Sequence, residues 1–305
     1  MKTSHTSVHA ALFATALVWG LNVSAVKALT QQVDVTLVAS LRTVLAAAAL
    51  TLLLLTRERA TLRWSLGFVA WAVAGASLMV YANQTLFAHA MQRTSATNAA
   101  LIMALAPLVS AFLEAALFRK PLAASQLGGI LVALAGVVLV VVRGRDAAWT
   151  DAAAGDLLMF ASIVAFAAGG ATVQRLSRCA SPLAVTWLVH AAGAAMLVAH
   201  TLVMVPDPWQ AITSLSGWQW SLMLYSGVLA TAADAVAWSR GIAAIGVGRT
   251  ATYLSWVPLF GVAFGALLLD ESLNRWHAIG LAAVLIGTLL ATHTASAPAA
   301  GLRSA

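Results

Sequence analysis

Charged residues are scarce in this sequence: they make up 9% of its 305 residues, whereas hydrophobic residues make up 61%. A soluble globular domain has roughly 45–50% apolar and about 25% charged residues. So few polar side chains could not cover the surface of a water-soluble protein of this size. The composition therefore excludes that class, and the lipid bilayer must serve as the solvent.

Cysteine and metal-ligand patterns are also lacking. The single cysteine, Cys179, excludes an intramolecular disulfide, and no Cys/His spacing indicates a metal site. The sequence has no phosphate-binding loop, no GxSxG nucleophile motif and no soluble domain to hold a nucleotide. These absences argue against an ATP-driven pump and an intramembrane enzyme, and no cofactor is expected.

Long apolar runs occupy most of the chain, and at about 20 residues for each membrane span we count ten of them. Barrel strands would alternate over about 10 residues, so these runs predict helices and an all-α integral membrane protein. The predicted spans are 8–28, 35–55, 65–90, 96–118, 123–142, 155–175, 183–205, 217–240, 248–269 and 276–293. The first run resembles a signal peptide but leads into no polar chain, so we expect a retained helix.

Lysine and arginine are distributed unevenly between the predicted loops. With a cytoplasmic N-terminus, eleven lie on the cytoplasmic side and five outside, the arrangement that the positive-inside rule favours. The net charge of +7 is therefore a topology signal and not a nucleic-acid signal. We expect a bacterial inner (plasma) membrane protein with both termini, including a short tail at 295–305, in the cytoplasm.

One proline and two glycines recur at a fixed distance of 151 residues. The matched residues are Pro107, Gly129 and Gly136 in the first half and Pro258, Gly280 and Gly287 in the second. Ten spans from one duplication give five per half, and an odd number forces the second copy to insert upside down. We therefore predict two inverted five-helix repeats, at 1–147 and 148–294. The paired prolines are either hinges for alternating access or tolerated kinks.

Several short motifs extend over essentially the whole chain. They are Trp19-Gly20-Leu21-Asn22 with Lys27, Arg42, Gly155-Asp156-Leu157-Leu158 and, in both halves, small residues followed by proline, an apolar stretch and a Gly-rich helix. With these motifs the chain resembles the EamA-type exporters of the drug/metabolite transporter superfamily. The resemblance implies a ten-helix exporter of small metabolites and leaves the substrate open. One departure is Arg119-Lys120, where the family usually has an acidic residue after the fourth span; the second half has Asp270-Glu271.

Asp234, in the middle of the eighth predicted span, is the sharpest candidate for a binding residue. Thr231 and Trp238 lie on the same helix face. A charge at membrane depth costs roughly 2.5–3.5 kcal/mol on insertion scales, so such residues usually face protein or water. Asp234 would bind a substrate amine or carry an exchanged proton, with Trp238 stacking on the substrate. Alternatively, it pairs with a buried cation such as Arg42 and only holds helices together.

Further candidates come from three other spans. In the first half, Asn83 and Phe87 match Asp234 and Trp238 at the 151-residue offset, and Gln84 is adjacent. The two amides either recognise a substrate or make ordinary interhelical hydrogen bonds. Three further residues complete the predicted cavity: Tyr253 and Ser255, before the proline of the ninth span, and Trp19, which acts as a gate or in helix packing. Three histidines are candidate proton relays: His89, His190 and His200.

The predicted function is secondary transport. We expect export of small polar metabolites, such as amino acids or their derivatives, by alternating access, with protons as the candidate coupling ion and a monomer or homodimer as the assembly. The alternative on the same fold is a translocase for lipid-linked or amphipathic substrates, drug-like or glycolipid. A lateral opening between helices, lined by small residues, would favour that alternative.

Overall fold

A computed structural model of the chain describes residues 5–57, 65–118, 123–143, 151–234, 237, 245, 250 and 252–293. Within these ranges the chain is almost entirely helical and has no β-strand, which confirms the predicted all-α membrane fold. In the described part of the chain, seven helices are long and apolar enough to cross a membrane, and two shorter apolar helices, Tyr253–Leu269 and Arg275–Ala291, follow them.

The helices correspond closely to the predicted spans. They are α1 (His5–Thr30), α2 (Val35–Arg57), α3 (Leu66–Arg93), α4 (Ala96–Met103 and Ala106–Phe118), α5 (Ala124–Arg143), α6 (Asp151–Leu176), α7 (Pro182–Met204), α8 (Gly217–Leu224 and Tyr225–Ala233), α9 (Thr252–Ser255 and Trp256–Leu269) and α10 (Arg275–His293). A short helix, Pro208–Thr213, precedes α8 and buries none of its residues. The predicted end of the eighth span and start of the ninth lie outside the described residues.

Serine residues define where several helices begin. The side chains of Ser65, Ser95, Ser181 and Ser216 each accept a hydrogen bond from a backbone N–H in the first turn of α3, α4, α7 and α8. This bond satisfies one of the N–H groups that a helix N-terminus leaves without an intrahelical partner. Gln219 completes a capping box with Ser216, so the start of α8 is doubly fixed.

The two prolines at the 151-residue offset coincide with changes in helix geometry. In α4 the α-helix is interrupted at residues 104–105, and in α9 a 3-10 turn occupies Thr252–Ser255. Pro107 and Pro258 have no N–H to donate to the carbonyl four residues earlier, so the regular pattern is released just before each proline.

Two π-helical segments are features that the sequence analysis did not predict. They are Ala76–Ala82 within α3 and Tyr225–Ala233 within α8. Each ends directly before one of the predicted polar residues, Asn83 in α3 and Asp234 in α8, and these two are 151 residues apart. Because π-helical segments often occur at functional sites, this position directs attention to the interior around α3 and α8.

Helices α5 and α10 pack against each other through their glycines. A Cβ atom at Gly129 would collide with the carbonyl of Gly287, and one at Gly136 would collide with Ala283 and lie 3.2 Å from the carbonyl of Gly280. Position 129 thus lies opposite 287 and position 136 opposite 280, so the two helices run antiparallel. Small residues let helix backbones approach closely where the solvent is lipid.

The apolar interior lies mainly between α1, α3, α4 and α6. Its fully buried side chains include Val26, Leu29, Met91, Ile102 and Met159. Large aliphatic side chains also cover the outside of the bundle, among them Leu55, Leu66 and Val203. An apolar exterior of this kind is stable only where lipid surrounds the helices.

Candidate functional site

Arg42, on α2, is buried inside the bundle with 5% of its surface exposed. Its Nε donates to the hydroxyl of Ser226 on α8, and its Nη1 donates to Oε1 of Gln84 on α3 at 3.4 Å. The guanidinium carbon lies 5.6 Å from the centre of the Phe87 ring. All three partners, Ser226, Gln84 and Phe87, are neutral. The sequence analysis considered an ion pair between Arg42 and Asp234, but the contacts in the structure are with neutral side chains.

The polar network around Arg42 links four helices. The hydroxyl of Ser226 donates to Oδ1 of Asn22 on α1, so α1, α2, α3 and α8 are all connected through this one arginine. A cavity of about 10 Å³ adjoins it, lined also by Gln84, His190 and Thr231. Such a volume holds about one water molecule, so the site is closed in this conformation.

Asp234 lies at the end of the π-helical segment of α8, and 8% of its surface is exposed. The hydroxyl of Thr15 on α1 lies near its carboxylate, and Oδ1 has no hydrogen-bond partner. A buried carboxylate oxygen without a partner is costly, so a ligand or a proton at this position would be stabilising. Trp238, predicted to stack beside Asp234, lies outside the described residues.

The two amides predicted on α3 have different surroundings. Gln84 faces Arg42, as described above, whereas Asn83 donates from Nδ2 to the carbonyl and the hydroxyl of Ser162 on α6, at 3.0 and 2.9 Å. Asn83 therefore connects α3 to α6. Its neighbour Tyr81 contacts Nδ1 of His200 on α7, with its hydroxyl 3.3 Å away.

The aromatic candidates make hydrogen bonds between helices. Nε1 of Trp19 donates to the carbonyl of Ala230, inside the π-helical segment of α8, at 2.9 Å. The hydroxyl of Tyr253 lies 2.6 Å from Nδ1 of His9, near the start of α1, and Ser255 is half-buried at the end of the 3-10 turn. Trp19 therefore lies against α8, whereas Tyr253 lies near the beginning of α1.

A second polar cluster surrounds the junction between α3 and α4. The carboxylate of Glu271 accepts the backbone N–H groups of Ala96 at 2.6 Å and Thr97 at 2.8 Å, at the start of α4. The ammonium group of Lys27 donates to three carbonyls at the end of α3 and just after it. An acid at a helix N-terminus and a base at a C-terminus both stabilise the helix. Lys27 and Glu271 therefore fix this junction.

Comparison with known families identifies the class of protein. The sequence model of the EamA-like transporter family matches residues 6–142 and again residues 153–293. The chain belongs to the EamA-like transporter family. This EamA protein is therefore a multi-pass membrane transporter and not an enzyme.

Similar proteins extend the same conclusion without naming a substrate. The uncharacterized transporter YyaM of Bacillus subtilis is 25% identical over 70% of the EamA chain and 70% of its own. An uncharacterized transporter of Synechocystis is 25% identical over 68% and 66%. A WAT1-related chloroplastic protein of Arabidopsis thaliana is 24% identical over 73% and 55%. One solved crystal structure has the same fold, with a TM-score of 0.67 and 20% identity over 96% of the EamA chain and 98% of its own.

Proposed function

We propose that this EamA protein exports small polar metabolites with a carboxylate and an amino group, such as amino acids or their derivatives. Transport proceeds by alternating access between two inverted five-helix halves. The observation that carries the proposal is Arg42, a buried cation surrounded by neutral groups in the bundle interior.

Arg42 has the chemistry to hold the carboxylate of a substrate. Burying a guanidinium without a counterion is costly, so the position is expected to have a function. Guanidinium groups bind carboxylates with two parallel hydrogen bonds, and the bond to Gln84 is long at 3.4 Å, so it can be exchanged for a substrate oxygen. The adjoining cavity holds about one water molecule, so binding requires α2, α3 and α8 to separate.

Asp234 supplies the opposite charge for the amino group. It follows Thr231 by one helical turn, and Thr231 lines the cavity beside Arg42. A solute with both charges would satisfy the guanidinium and the unpartnered Asp234 Oδ1 together. The same carboxylate is the candidate carrier of a coupling proton when no solute is bound.

Three observations support the inverted arrangement of the halves. The family model matches the chain twice. The two π-helical segments end 151 residues apart, at Ala82 and Ala233, and the regular α-helix is interrupted shortly before each of the matched prolines. The antiparallel glycine contacts of α5 and α10 are also symmetric. At the 151-residue offset Gly129 corresponds to Gly280 and Gly136 to Gly287, so exchanging the halves turns the Gly129–Gly287 contact into the Gly280–Gly136 contact. Pro107 and Pro258 then serve as hinges, one in each half.

The test is a competition assay with purified protein in liposomes loaded with labelled amino acids, with and without a pH gradient. Methyl esters remove the carboxylate of the competitor, and N-acetyl derivatives remove its ammonium group. We expect both to compete about 10- to 100-fold less well than the free amino acids, the cost of one lost charged hydrogen bond.

Variants assign each charge to a residue. Arg42→Gln should abolish the preference for a free carboxylate, and Asp234→Asn the preference for a free amine and the response to the pH gradient. Arg57→Gln and Asp151→Asn, at exposed positions, are the matched controls. Esters that compete as well as free amino acids would refute the role of Arg42. Absence of any amino-acid flux in folded protein would favour the lipid-linked or amphipathic cargo.

A further inference from the structure

A polar pocket of about 350 Å³ lies at the start of α4, between its first turn and the segment that precedes α10. Its lining includes Ser95, Thr97, Asn98, Glu271, Asn274 and His277. None of the residues around Arg42 contributes to it. The pocket is therefore a feature separate from the site proposed for the transported solute.

Two oxygen atoms in the wall of this pocket are buried and lack partners. Thr97 is 1% exposed and Asn98 is 6% exposed, yet Thr97 Oγ1 and Asn98 Oδ1 form no hydrogen bond. The orientation of the Asn98 amide is fixed, because its Nδ2 donates to Oδ2 of Asp156 at 3.3 Å. Oδ1 is thus an acceptor that requires a donor or a cation.

Glu271 adds a negative oxygen to the lining of the same pocket. Its carboxylate already accepts two backbone N–H groups at the start of α4, so the attraction of this helix N-terminus for an anion is satisfied within the protein. A Cβ atom at Gly265 would lie 3.0 Å from both Glu271 Oε2 and Thr97 Oγ1. The two oxygens therefore border the same small space, and glycine keeps that space open.

The charge of the pocket comes from one of its lining residues. Glu271 is the one carboxylate among the lining residues that the structure describes. The ammonium group of Lys27, just outside the lining, donates to backbone carbonyls. His277 also lines the pocket, and its Nδ1 accepts the backbone N–H of Asn274 at 3.1 Å, as a neutral imidazole does. One carboxylate accompanied by neutral oxygen donors suits a monovalent cation better than a divalent one.

We propose that this pocket binds a small monovalent cation, Na⁺ or a primary ammonium group, through the Thr97 hydroxyl, the Asn98 amide oxygen and the Glu271 carboxylate. Hard oxygen donors of this kind suit such cations, whereas Ca²⁺ takes six to eight oxygens, and several carboxylates as a rule. Among the described residues no cluster of His, Cys, Asp and Glu is placed to hold a transition metal. The site lies beyond the proposed function, and its test does not depend on which solute is transported.

The experiment measures cation binding to the purified full-length protein in lipid nanodiscs. Isothermal titration in choline chloride buffer of constant ionic strength compares NaCl, KCl, methylammonium chloride and MgCl₂, and thermal unfolding is followed in the same buffers. We expect saturable binding and a raised midpoint of unfolding with Na⁺ or with methylammonium. A response to Na⁺ alone identifies an inorganic ion site, and a response to methylammonium alone identifies a site for an amine.

Variants at the two unpartnered oxygens give the decisive comparison. Thr97→Val replaces a hydroxyl without a partner by a methyl group, so the protein should fold as well as before and bind the cation about tenfold more weakly. Asn98→Ala is the second variant. The control is Thr172→Val, since Thr172 is also buried but its hydroxyl donates to Gly169 within α6. No saturable response in the wild type, a preference for Mg²⁺, or an unchanged affinity in Thr97→Val would overturn the proposal.

Discussion

The close packing of α5 against α10 can be tested with two adjacent glycines, because one of them contacts α10 closely and the other has free space around it. A Cβ at Gly129 would meet the carbonyl of Gly287 and lie 2.8 Å from the backbone nitrogen of Ala291, whereas a Cβ at Gly128 would meet nothing within 4 Å. Replacing glycine by alanine within a helix gains about 0.5–1 kcal/mol of stability where space allows. Both alanine variants have this gain. The difference between their free energies of unfolding therefore measures the cost of the collision alone.

We expect Gly129→Ala to be less stable than Gly128→Ala by about 1–3 kcal/mol, the usual cost of overpacking. The free energy of unfolding is measured by adding sodium dodecyl sulfate to protein in mild detergent and following the helical circular dichroism signal. Gly287→Ala should behave like Gly129→Ala, because it disturbs the same contact, and the two changes should not be additive. Equal stability of the Gly128 and Gly129 variants would refute the close approach of the helices.

Three further predictions concern the membrane topology, the cap that Glu271 provides to α4 and the hydrogen bond of Trp19. Exposed Cys179, between α6 and α7, should react with a membrane-impermeant maleimide in inside-out vesicles and not in intact cells; the reverse would refute cytoplasmic termini. Glu271→Gln should lower the midpoint of thermal unfolding, with a loss of about 1–2 kcal/mol, because the amide has one acceptor oxygen, and a neutral one, for the two N–H groups of Ala96 and Thr97; an unchanged midpoint would contradict this. Trp19→Phe should cost about 1 kcal/mol in the detergent titration, since it removes only the bond to α8, and no loss would mean that water replaces that bond.

The helices were predictable from sequence because a lipid solvent imposes a simple requirement. Each span needs about 20 apolar residues with all backbone groups bonded internally, so the apolar runs predict both number and position. The prolines were informative for the same reason, since a missing N–H has a local effect that does not depend on the rest of the fold.

The site was harder to predict because its contacts join distant parts of the chain. The sequence singled out Asp234 and left open its pairing with Arg42. It could not indicate that Arg42 bonds to the neutral Ser226, which lies 184 positions away on α8. The π-helical segments have no sequence signature of their own, because their hydrogen-bond register depends on packing against neighbouring helices. The cap that Glu271 provides to α4 connects residues 175 positions apart, so the motif alone could not indicate its partner.

The symmetry of the glycine contacts has a consequence for the transport cycle. Under the proposed inversion, opening the protein to the other side of the membrane amounts to exchanging the conformations of the two halves. That exchange converts the pairing of Gly129 with Gly287 into the pairing of Gly280 with Gly136, which is already present. The α5–α10 pair can therefore keep the same contacts throughout the cycle. It remains a rigid unit while the helices around Arg42 and Asp234 rearrange.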